Sequence, residues 1–162
     1  RNESSAASDV YKRQLLILIP LLGFPSLYSD DIDDIKQQIY DNLEYFNKNG
    51  TSPNEYSEKG ALEFWSSGGL MQEISPKMQP SVYESVNLKY KHMEIIVLVP
   101  KKAAVAMYYS EGSLKPQNSP AVNHYLTRVT QALVKEDGKW KIRASHWSPV
   151  KGGSGTTATT LD

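Results

Sequence analysis

The 162-residue sequence predicts an α+β domain in which N-terminal helices pack on one face of a curved antiparallel sheet. Three observations carry this expectation: helix-spaced apolar residues before residue 50, β-rich runs after residue 90, and an Asp-Gly turn between the last two runs. Helices come first and strands after, the order of an α+β layer arrangement rather than an alternating βαβ one.

The first helix is read from Ile32, Ile35, Ile39, Leu43 and Phe46. Spacings of three and four place them on one face. Aspartates 30, 31, 33 and 34 suit the positive end of the helix dipole, and Asn49-Gly50 supplies a left-handed stop. Ser52-Pro53-Asn54-Glu55 has capping-box spacing with proline at the first helical position. It predicts a second, shorter helix that carries Tyr56, Leu62, Phe64 and Trp65 and ends at Gly68-Gly69.

A proline-containing loop through Pro76 and Pro80, with a short turn at residues 81–85, leads to the strands. Tyr90 to Val99 and Ala103 to Glu111 form an expected hairpin around Lys101-Lys102, the second run stopping at Gly112. His124 to Val134 and Trp140 to Val150 flank Glu136-Asp137-Gly138-Lys139, so they should be antiparallel neighbours. Ala104 to Tyr109 are apolar on both faces, which predicts a covered outer face and a homodimer joined sheet to sheet.

The ends read differently. Residues 4–14, SSAASDVYKRQ, match codon for codon the in-frame translation of a sequencing adapter, so 1–14 are expected to be an artefact of reads from an environmental sample. Residues 15–29 are an uncharged apolar run that suits a truncated secretory signal, being shorter than the ~20 residues of a spanning helix. Cleavage near Ser29 would leave a periplasmic or extracellular domain over 30–150, free of the membrane, with a flexible Gly/Thr-rich tail over 151–162.

Lys plus Arg and Asp plus Glu each number 18. Without a net field, a nucleic-acid partner is not expected. The lack of cysteine excludes disulfides, thiolate metal sites and cysteine nucleophiles. His92, His124 and His146 lack metal-ligand spacing, and no phosphate loop or serine elbow occurs, so no metal or cofactor is expected.

On a regular strand Trp140, Ile142, Ala144, His146 and Ser148 would share one face, opposite Lys141, Arg143, Ser145 and Trp147. The first set is expected to face the helices, giving apolar walls, an imidazole and a hydroxyl along one line. The plain alternative is that His146 and Ser148 bond each other or the backbone at the sheet edge. An inward Arg128 would need an anion, either Glu111 or a ligand carboxylate. Glu111, beside Tyr108 and Tyr109, is a candidate general base with a raised pKa, and exposure before Gly112 is its bland counterpart.

Arg128-x-Thr130, Asp137-Gly138-Lys139-Trp140 and His146-x-Ser148 together resemble the C-terminal strand pair of SnoaL-like domains in the nuclear transport factor 2-like superfamily. They are also similar to the association domain of calcium/calmodulin-dependent kinase II. The likeness spans about Ile32 to Pro149 and implies a cone-shaped (cystatin-like) fold enclosing a pocket, commonly dimeric. It implies pocket positions at Arg128 and Thr130; the residue reading adds Tyr109, His146 and Ser148 from the strands, and Trp65, which with Phe64 on the second helix would cap the pocket or serve as plain core. The ligand would be a small molecule, acidic ones included, and Glu111 or His146 would be the catalytic candidates of an isomerase or dehydratase. Ketosteroid isomerase shares the fold type, but its catalytic triad has no counterpart here; Tyr40 and Tyr45 are only coincidental donors on the first helix. The other functions the fold hosts include a protein-interaction module.

Overall fold

The computed structural model describes residues 27–156. Among them is one α-helix, α1 (Leu27–Asn49), followed by β1 (Ala61–Phe64), β2 (Gln72–Ile74), β3 (Tyr83–Val99), β4 (Ala103–Pro116), β5 (Val122–Glu136) and β6 (Lys139–Pro149). The adapter match and most of the apolar run lie outside the described residues. The expected cleavage point at Ser29 falls in the first turn of α1.

The six strands form one curved mixed sheet in the order β2-β1-β6-β5-β4-β3. All neighbours are antiparallel except β1 and β6, which run parallel. The 101–102 and 136–139 turns fall where the sequence places them. Beyond the expected ends, β3 starts earlier, at Tyr83, and β4 continues through Gly112 to Pro116. Gly112 has φ 147°, and a Cβ there would sit 2.0 Å from the Asn87 carbonyl oxygen. Only glycine lets the two strands approach this closely while the ladder shifts register.

Helix α1 buries Ile35, Ile39 and Leu43 against the sheet. Three polar anchors hold it. Asp31, 1% exposed, accepts the Lys101 backbone N–H at 2.6 Å and pairs with Lys135 at 3.3 Å. Gln38 donates to the Trp140 carbonyl at 2.7 Å. Asn47 bonds both backbone groups of Leu88, at 2.8 and 2.9 Å, and so caps part of the free edge of β3. Gly50, at φ 69°, ends the helix as its sequence predicts.

The second helix does not form. Ser52 Oγ accepts the Asn54 N–H at 3.3 Å in a local turn, and the backbone of 55–57 pairs with Ile142. Residues 61–64 then alternate buried and exposed as β1. Side-chain competition for backbone donors and pairing with β6 outweigh the capping-box pattern.

The tail also differs from expectation as far as Thr156. Ser154 bridges Tyr125 in parallel, bonding to His124 and Leu126, and Thr156 bonds Ser66 Oγ through its backbone N–H at 3.1 Å. Backbone pairing along β5, rather than composition, decides the path of 151–156.

Candidate functional site

Arg143 bulges out of β6. Ala132 pairs with Ala144, but the next residue, Leu133, pairs with Ile142. One extra residue reverses the side-chain parity of everything beyond it. Trp140 and Ile142 face the helix, and so do Ser145 and Trp147, while Ala144, His146 and Ser148 face away.

Five of the six residues expected to line a pocket therefore do gather, but on the outer face of the sheet. Cross-strand pairing sets Thr130 against His146 and His146 against Phe64 of β1; Tyr109 lies against Arg128, and Arg128 against Ser148. Arg128 Nε donates to Ser148 Oγ at 2.8 Å. His146 lies beside Phe64, ring centroids 5.5 Å apart. Glu111 pairs with Lys91 rather than Arg128, and the Lys91 hydrogen bond and charge hold its carboxyl below the usual range, the reverse of the expected rise. Of the six pocket residues named from sequence, Trp65 alone lines the cavity described next.

That cavity, about 400 Å³, lies between the C-terminal end of α1, the 52–56 segment, β1 and the inner face of β3 to β6. Its walls include Tyr56, Tyr83, Tyr90, Tyr125, Trp65 and Trp147, with Leu88 and Leu114. Residues 78–82 and 116–119 contribute to its lining, as does Thr156. A second pocket beside Trp140 holds only about 30 Å³, room for a water rather than an organic molecule.

Among the described residues, Glu63 is the one charged side chain on the lining of the large cavity. It is 6% exposed, on the buried side of β1. Trp65 Nε1 donates to Oε2 at 2.9 Å and Ser145 Oγ donates to Oε1 at 2.6 Å. Burial, then the charge of Glu63, pushes the Tyr56 phenol well above its ordinary pKa. Burial likewise raises Tyr83, Tyr90 and Tyr125 on the lining, and Tyr108 behind it. At neutral pH the walls present hydroxyls, not phenolates.

Hydrogen bonds and ring contacts fix these groups. Tyr125 donates to Ser66 Oγ at 3.3 Å, and Tyr108 to Gln131 at 3.1 Å. Tyr90 packs on Tyr108 with centroids 4.5 Å apart, and Tyr108 meets Trp147 edge-on at 6.1 Å. The site is thus a rigid aromatic chamber with hydroxyl donors and one carboxylate. Sequence reasoning missed Tyr56, Glu63, Tyr83, Tyr90, Tyr125 and Trp147.

Among solved structures, the chain is similar to an NTF2-like protein of unknown function from Pseudomonas putida KT2440. The TM-score is 0.53 at 11% identity, covering 82% of this chain and 97% of that one. An NTF2-like protein of unknown function from Prochlorococcus sp. NATL2A aligns at TM-score 0.44 and 21% identity, over 78% of this chain and 98% of that one. No protein-family model matches the chain, and no curated protein matches it in sequence. The fold is nuclear transport factor 2-like, the fold expected from the strand-pair motifs.

Proposed function

We propose that the chain is an exported domain that binds a small, partly aromatic molecule in the cavity between α1 and the sheet. The observation that carries this reading is a chamber of about 400 Å³ lined by aromatic residues together with serines and one carboxylate. Such volumes and mixed linings are characteristic of small-molecule sites. Export rests on the apolar run of residues 15–29. An acidic ligand was expected from an inward Arg128, and that guanidinium lies on the outer face.

The neutral dye N-phenyl-1-naphthylamine tests the cavity. Saturable one-to-one fluorescence enhancement is expected, and V82W, which places an indole at an exposed position on the lining, should weaken it about tenfold or more. Absence of saturable binding, or binding indifferent to V82W, overturns the reading.

A second reading is a cofactor-free isomerase or dehydratase, favoured by one observation. Glu63 stands on a lining that also carries tyrosine hydroxyls, the pairing of base and donor that proton transfer needs. Glu111 and His146, the bases first considered, are outside this chamber. Turnover of an enolisable ketone that is lost in E63Q would support it; turnover unaffected by E63Q would overturn it.

We propose further that the outer face of the sheet pairs with a second copy of the chain. Phe64, Met107, Tyr109 and Ile96 are exposed there although large and apolar.

A further inference from the structure

Every polar partner of Glu63 is a neutral donor. Trp65 and Ser145 supply hydrogen bonds but no counter-charge. Among the described residues, no lysine, arginine or histidine lines the cavity, and no ion pair includes Glu63. A carboxylate has about four lone-pair positions, so the two donors leave room for more. A carboxylate held away from water is costly unless a cation meets it. The aromatic residues Trp65, Trp147 and Tyr90 on the same lining favour a cation for an independent reason, since aromatic π-clouds attract positive charge.

We infer that the cavity selects an organic cation: an amine with an apolar or aromatic body, its ammonium on Glu63 and its body among the rings. This rests on the cavity-binding reading and specifies the ligand class. An ammonium N–H would fill a free lone pair of Glu63 and supply the absent counter-charge. An anion of the same shape would meet repulsion from Glu63 and from the ring faces. A neutral alcohol would gain the hydrogen bond without the charge, which ranks the three.

The test is direct calorimetric titration of the full chain with 4-phenylbutylamine, 4-phenylbutan-1-ol and 4-phenylbutyrate. The amine should bind about tenfold or more tighter than the alcohol, and the carboxylate weakest. That order should survive about 0.5 M NaCl, because an enclosed pair is screened far less than a surface one. In E63Q the amine and alcohol should fall within about twofold of each other, whereas E111Q, altering an outer-face carboxylate, should keep the wild-type order. Should E63Q fail to fold, the wild-type ranking and its salt response still decide. Equal binding of amine and alcohol, a preference erased by salt, or a preference for the carboxylate overturns the inference while the cavity reading stands. Silence from all three compounds, together with no saturable dye binding, overturns both.

Discussion

Ser145 of β6 faces Glu63 across the parallel β1–β6 pair and donates to Oε1 at 2.6 Å. Two buried polar side chains on paired strands thus satisfy each other where an apolar core would otherwise be expected. The bond ties the short β1 to the main sheet and orients the carboxylate for the cavity. Removing the hydroxyl leaves Oε1 without its closest donor. S145A should lose about 1–3 kcal/mol of stability, the usual cost of unpairing a buried charged acceptor. Urea unfolding with an unchanged slope would read this as a lowered midpoint; a midpoint equal to that of the wild type would show that the bond adds nothing.

The tyrosines give a pH signature. Burial raises the phenols of Tyr56, Tyr83, Tyr90, Tyr108 and Tyr125, while the unfolded chain ionises its tyrosines near the ordinary value of about 10. A raised folded pKa leaves stability intact below the unfolded pKa and removes it as pH climbs through the gap towards the folded one. Stability should therefore be flat in this respect up to about pH 10 and fall above it. Ultraviolet titration should show these five phenols ionising late, together with loss of near-ultraviolet circular dichroism. Early, reversible ionisation of all tyrosines with the fold intact would contradict the enclosed chamber.

At Gly112 the chain has no room for a side chain. A Cβ would lie 2.0 Å from the Asn87 oxygen and 3.0 Å from its carbonyl carbon, both backbone atoms that cannot rotate away. G112A should cost about 2–4 kcal/mol, combining strain at φ 147° with disruption of the β3–β4 ladder. Thermal unfolding compared with G138A separates close approach from φ alone, because Gly138 also has positive φ but open space around it. Equal losses in the two variants would mean that the Asn87 contact is unimportant.

What the sequence made legible follows from how far each signal reaches. Helix periodicity at Ile35, Ile39 and Leu43 and the turn at Asp137-Gly138 are local, and both hold in the structure. The inward face of β6 depends on Arg143, whose bulge is a relation between two strands and leaves no mark in either one. From that residue onward the parity inverts, which carried His146 and Ser148 to the outside and hid Trp147. β1 misleads in a second way. Its alternation is plain, but Leu62 and Phe64 would ordinarily be assigned inward and Glu63 outward, and the chain does the opposite. A strand that buries its acid and exposes its two large apolar residues breaks the usual rule on both faces, and such breaks concentrate at functional surfaces. The nuclear transport factor 2-like fold could be read because its motif order survives such shifts; the site could not, because it depends on parity.

The inverted β1 also bears on assembly. Its outward Phe64 continues a cross-strand row through His146, Thr130 and Met107, and Leu62 continues a parallel row through Ala144, Ala132, Val105 and Ile96. Phe64 is 45% and Met107 47% exposed. A row that is apolar across five strands, flanked by Phe64 and Met107, is costly to leave in water, and a twofold pairing of two such faces would cover it on both copies. The wild type should sediment as a dimer at micromolar concentration, with a melting temperature that rises with protein concentration. M107K places a charge beside this apolar row without touching the cavity. It should shift the species to monomer and abolish the concentration dependence, while leaving cavity ligands bound within about twofold. A wild type that stays monomeric at high concentration, or an M107K variant that remains dimeric, would show that this face is not where two copies meet.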